Sequence, residues 1–193
     1  MSTHTTAAPQ MPLALQYAEV AIPGIGVGLI AGAFAAGVAA MAGLPAVQIA
    51  TIATGLGIPL ALLGAGYCVL LALGKFGVGA VGPVAFYWLV GFPLARLTDQ
   101  YLVATVLGHD EILREPLLSF LAFQAMLSMG FAIGFLWLHE RIAPHLLIRI
   151  KDHNPVAAHL VERYISQATA LEERRVNAKE ERAAKRGRRR GSS

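Results

Sequence analysis

The residues able to do chemistry in this chain are few, and none stands in a spacing that chemistry requires. His109, Asp110 and Glu111 adjoin in one polar segment and offer three side chains to a cation. Consecutive helical residues point in different directions, and no second group completes a coordination shell, so the trio reads as a solvated loop. His139, His145, His153 and His159 follow an apolar stretch without metal-ligand spacing. They are not the paired mid-membrane histidines that a bis-histidine haem requires. The single Cys68 excludes an intramolecular disulfide. Three GxG pieces (Gly24–Gly26, Gly64–Gly66 and Gly77–Gly79) lie in or between apolar runs. A nucleotide fingerprint needs a strand before the glycines and a helix after them, so that reading is rejected. Neither a catalytic residue nor a metal nor a cofactor is expected.

The remaining polar residues suit packing or passage rather than catalysis. Gln48, Thr51 and Thr54 fall within one apolar run, one turn apart, and would line a small polar path. Hydroxyls at such positions more often bond their own backbone or a neighbouring helix. Gln124 and Ser128 share a helix face at i,i+4 and suit an interhelical hydrogen bond.

The elements that must position these residues are membrane spans. The chain has 193 residues, 55% of them hydrophobic and 15% charged. Soluble domains carry about 25% charged residues, so the deficit points to lipid as solvent. Four apolar stretches reach the ~20 residues that a helix needs to cross a bilayer: about 20–43, 46–73, 76–95 and 116–138. Between the flanking charges, these stretches contain no Asp, Glu, Lys, Arg or His. A surface helix of a soluble protein would show a polar stripe. The expected fold is therefore an all-α integral membrane protein with four transmembrane helices, a C-terminal cytoplasmic amphipathic helix and a basic tail. Residues 1–19 form an N-terminal segment at the interface, and they lack the Lys or Arg of a cleaved signal sequence. The segment 96–115 is too polar to span. It reads as an interfacial or re-entrant helix, with a longer, broken third span as the alternative.

Small residues recur every four positions in three of the spans. Gly24, Gly28, Gly32, Ala36 and Ala40 form one ridge; Ala53, Gly57, Ala61 and Ala65 form a second; Gly130 and Gly134 begin a third. Such ridges let backbones approach closely where no hydrophobic effect drives association. They either pack within the chain or, in the first span, bind a neighbouring subunit.

Charge sets the orientation. From His139 onward there are about 13 Lys/Arg and 7 Asp/Glu, whereas the preceding part is mildly acidic. Lys and Arg concentrate on cytoplasmic segments, so both termini are expected there. Residues 139–185 should form a charged, amphipathic helix. It opens at Asn154–Pro155, a cap followed by proline, and carries Ala157, Leu160, Val161, Tyr164, Ile165, Ala168 and Leu171 on one face. Residues 186–193 complete a disordered basic tail. Lys185, Arg186, Arg188, Arg189 and Arg190 would meet anionic lipid or a partner. Phosphate contact with nucleic acid is the lesser alternative.

The expected partners are membrane lipids and other membrane subunits or a second copy. The function that follows is a non-catalytic structural or assembly subunit of a membrane complex. The alternative is a small oligomeric channel, passive transporter, or secretion or conjugation pore component.

Overall fold

Proline stands at the N-cap of three of the five helices. Pro12, Pro45 and Pro116 stand at the N-cap positions with φ of −54°, −59° and −56°, the value the ring imposes anyway. The computed structural model describes the backbone of residues 11–190 and the side chains of residues 11–182. Among these residues the chain forms five α-helices and no strand: α1 Leu13–Met41, α2 Ala46–Ala72, α3 Val81–Leu107, α4 Leu117–Ile150 and α5 Pro155–Arg190. Helices α1 to α4 are long and apolar enough to cross a membrane.

Glycine ends the first two helices by one device. Gly43 and Gly74 both take φ +74°, a left-handed conformation that costs glycine nothing. Beyond each, the next amide reaches back to close the last turn: Leu44 N donates to Ala39 O (3.2 Å) and Lys75 N to Leu70 O (2.9 Å). The end carbonyls are thus satisfied without water, and the chain reverses within a few residues.

Helix α1 packs along α2, α3 lies against both α2 and α4, and α1 touches α4 to close the bundle. Helix α5 crosses one end, against α4, α1 and α2. We call this the tail end, and the opposite end, which carries the 108–116 loop, the loop end. The centre is aromatic. Trp88 lies between Phe131, edge-on at 4.7 Å, and Phe135, tilted at 4.6 Å, and Tyr67 meets Phe135 edge-on at 5.1 Å.

The helices depart from the spans expected of the sequence at four places. Helix α1 begins at Leu13 rather than near residue 20, so Gln16 and Glu19 belong to it. Residues 1–10 lie outside the described residues. Helix α3 does not stop at Arg96. It continues to Leu107 and ends at Gly108, so the first part of the 96–115 segment is the end of the third helix and not a separate one. The reason is local: Arg96 pairs with Asp99 at i,i+3, which removes the polar break that two lone charges would make. Helix α4 likewise passes through His139 to Ile150. The Leu146–Ile150 stretch therefore finishes α4, and the tail helix starts only after the 151–154 turn. Finally, α5 stays helical through Arg190, where the tail was expected to lose structure after Lys185. Arg and Lys are good helix formers, and Gly187 interrupts them only once.

Candidate functional site

The ridge glycines face one another across α1 and α2. A Cβ built on Gly32 would stand 2.5 Å from the Gly57 Cα and 2.7 Å from the Ala53 carbonyl oxygen. One built on Gly24 would collide with the backbone of Gly64, and one on Gly28 with that of Leu60 and Ala61. Gly24, Gly28 and Gly32 are accordingly buried inside the chain against α2, the first of the two readings of this ridge and not the neighbouring subunit. Further along, Ala36 is half-buried and Ala40 exposed; in α2, Ala65 is half-buried. Gly130 and Gly134 differ. Both are exposed, and a Cβ on either meets nothing within 4 Å.

The polar path is not continuous. Thr51 Oγ1 donates to Val47 O at 2.8 Å and Thr54 Oγ1 to Ala50 O at 2.9 Å, so both hydroxyls are spent on their own helix. Thr54 is exposed on the outside of the bundle, and Gln48 is half-buried. Ser128 is fully buried and donates to Ala125 O at 2.6 Å. It makes no interhelical bond with Gln124's neighbours.

Gln48 and Gln124 instead line a cleft of about 630 Å³ at the loop end, between the ends of α1 to α4. Its polar wall holds Arg96, Asp99 and Gln100 of α3, with His109, Glu111, Arg114 and Glu115 from the 108–116 loop. Arg96 Nη1 donates to Asp99 Oδ2. The other carboxylate oxygen, Oδ1, has no protein partner, nor has the Gln124 Oε1, and both residues are buried. A third span that ends at Arg96 leaves this ion pair outside the bundle, whereas the longer third span, the alternative for 96–115, takes it in. The i,i+3 spacing of Arg96 and Asp99 within a largely apolar run was the available signal.

A second polar cluster lies toward the tail end. The Cys68 Sγ is 3.3 Å from His139 Nε2, and His139 stacks on Phe135 and meets Tyr67 edge-on. Cysteine beside histidine is the contact of a nucleophile and its base. Here each residue is 1% exposed, so no substrate reaches the sulfur and the pair serves packing. Glu140 accepts a hydrogen bond from the Tyr164 hydroxyl at 3.3 Å, which ties α4 to α5. Burial, aided by the Glu140 carboxylate, pushes the Tyr164 phenol above its ordinary value. In the unfolded chain this phenol ionises near a pH of about 10, whereas the folded chain keeps its proton. The stability it contributes is therefore intact below that pH and falls above it. Tyr164→Phe should remove part of the alkaline loss, as read from unfolding midpoints on either side of that pH. An unchanged alkaline slope would show that Tyr164 is not buried in this way.

Asn154 and Arg163 hold α5 in place, and neither stood out for this role in the sequence. Asn154 Oδ1 accepts from Ala157 N at 3.0 Å, the cap expected there. Its Nδ2 also donates to Gln16 O at 2.9 Å and to Glu19 Oε2 at 3.0 Å. His153 Nε2 lies 3.2 Å from the same Glu19 oxygen. Arg163 donates to Leu71 O at 2.5 Å and to Phe76 O at 2.9 Å. The side chains of Lys185, Arg186, Arg188, Arg189 and Arg190 lie outside the described residues.

Comparison with protein-family models, curated proteins and solved structures finds no match.

Proposed function

We propose that this chain is a non-catalytic subunit of a larger membrane assembly, with both termini on the cytoplasmic side and α5 as its docking arm. One observation carries the reading. From Ala168 to Arg182 every residue of α5 is exposed, including Leu171 at 47% and Val176 at 43%. A lone helix of about this length is marginal in water, and a partner or the lipid surface would supply the missing contacts. The orientation rests on the concentration of Lys and Arg after His139. Gly130 and Gly134 add a notch on the outer face of α4 where another helix backbone fits.

The alternative, a passive route for solute, has one supporting feature in the loop-end cleft. Below the cleft, however, Trp88 and Tyr67 are fully buried and Phe135 nearly so. A route through one copy would have to open this aromatic layer, so passage is better suited to an oligomer.

The test is purification of the tagged chain from its own membranes in mild detergent, with mass spectrometry of what co-migrates. Stoichiometric foreign membrane proteins are the expected result, and recovery as a lone monomer would sink the proposal. Gly130→Leu with Gly134→Leu should strip the partner while leaving the unfolding midpoint of the isolated chain within about 0.5 kcal/mol of the parent, as for surface substitutions.

A further inference from the structure

We infer that the groove between α3 and α4, on the outer face of the bundle, holds one phospholipid whose phosphate carries a primary ammonium. The groove encloses about 320 Å³ and is lined by Val81 and Ala85 of α3 and by Met129, Ile133, Trp137 and Glu140 of α4. Val81, Met129, Ile133 and Trp137 are exposed, so it opens outward, where a spanning bundle meets lipid. From Met129 to Glu140 it follows α4 for about 16 Å, at 1.5 Å per residue. That is half of the ~30 Å hydrocarbon core, the depth of one leaflet. Its tail end falls at the headgroups. The apolar stretch 117–138 of α4 is about 33 Å long, so Glu140 and Arg141 stand just outside the core.

Two opposite charges meet there. Glu140 is the one charged residue in the groove's lining. Its Oε1 accepts from the Tyr164 hydroxyl at 3.3 Å, and the basic nitrogen within 4 Å, His139 Nδ1, is 3.8 Å from the same oxygen. The side chain is 26% exposed, and its Oε2 is left for a donor from the groove. The Arg141 guanidinium lies over the Trp137 ring, 4.6 Å from its centroid. Among the described residues no carboxylate pairs with it. A carboxylate beside a guanidinium is the complement of a phosphate that bears an ammonium. The phosphate takes Arg141, and the ammonium gives Glu140 a charge-assisted hydrogen bond. An anionic headgroup would leave Glu140 facing a like charge, and a quaternary ammonium has no N–H to donate. Hydrocarbon gains little in passing from bulk lipid to an apolar groove, so selection falls on the headgroup. The groove between α2 and α3 makes the contrast: Leu63, Phe86, Val90 and Leu94 line it without any charged residue, so it does not discriminate between lipids. The site does not use the Gly130–Gly134 notch, so this inference and the assembly reading can each fail alone.

The experiment is native mass spectrometry of the full, delipidated chain in a mild detergent, titrated with dioleoyl phosphatidylethanolamine. Dioleoyl phosphatidylglycerol, dioleoyl phosphatidylcholine and dioleoylglycerol carry the same acyl chains and serve as comparators. Phosphatidylethanolamine should bind at one molecule per chain, roughly tenfold tighter than the other two phospholipids, the worth of one hydrogen bond to a charged group. Glu140→Gln keeps an acceptor for Tyr164 and should lose that preference. Arg141→Gln, at an exposed position, should weaken all three phospholipids toward the level of dioleoylglycerol. If Glu140→Gln fails to fold, Arg141→Gln still decides the matter. Phosphatidylethanolamine bound no tighter than phosphatidylglycerol or phosphatidylcholine would overturn the proposal. So would a preference that survives in Glu140→Gln, or phospholipid binding unchanged in Arg141→Gln.

Discussion

A single methyl group added at Gly28 is expected to push α1 away from α2. The Cβ it introduces falls among backbone atoms of Leu60 and Ala61, and a backbone has no rotamer with which to retreat. Overpacking a core side chain costs about 1–3 kcal/mol. A clash of backbone against Cβ belongs at or above the top of that range. Net stabilities of folded domains are about 5–15 kcal/mol, so Gly28→Ala should lower the unfolding midpoint far more than alanine at the open glycines of the same helix. Gly24→Ala should behave alike, since its Cβ meets Gly64. The same helix supplies the control. A Cβ on Gly26 or Gly37 meets nothing within 4 Å. Alanine there should be neutral or stabilising by up to about 1 kcal/mol, the difference in helix propensity. Equal losses at Gly26 and Gly28 would refute the α1–α2 contact.

Arg163→Met is expected to release α5 from the bundle. Its guanidinium reaches two carbonyls at once, Leu71 in the last turn of α2 and Phe76 in the 73–80 turn. Carbonyls at a helix C-terminus carry the negative end of the dipole, so a fixed cation is favoured there. Hydrogen bonds to charged groups contribute about 1.5–3 kcal/mol each. Methionine keeps the aliphatic stem and removes both bonds. Since about 1.4 kcal/mol is tenfold in population, the undocked form should rise by at least about a hundredfold. The 151–154 turn then opens, and Lys151 at its start is a tryptic site. Cleavage there reports the open population when closing is faster than cutting. Asn154→Ala should act in the same direction, losing a cap worth about 0.5–2 kcal/mol along with the bonds to Gln16 and Glu19. A tryptic rate at Lys151 unchanged in Arg163→Met would mean that α5 is held by its apolar face alone.

The contrast between these two sites and the outer surface explains what was readable in advance. The glycine spacing in α1 and α2 is visible along the chain, but its direction is not. Gly24, Gly28 and Gly32 turn inward while Gly130 and Gly134, with the same period, turn outward. Spacing defines a face of a helix, and only the neighbouring helix determines what that face meets. The ends of α3 and α4 are hidden in the sequence for a related reason. Arg96 and His139 look like span boundaries because a lone charge or imidazole is costly in lipid. In the folded chain Arg96 is paired with Asp99, and His139 is enclosed by Cys68, Tyr67 and Phe135.

The sequence by itself determined the four long apolar helices, because lipid acts as a solvent on each helix separately and demands ~20 apolar residues of each. It also determined the helix stops at Gly43 and Gly74 and the cap at Asn154, all local backbone requirements. Only the tertiary structure decided that Arg96 and Asp99 line a cleft with Gln48 and Gln124. The same holds for the closure of the α1 ridge against α2 and for the hold of Arg163 on Leu71 and Phe76. These contacts join residues far apart in the chain. Whether they form depends on the rotation of each helix about its axis, which the packing of all five helices sets together.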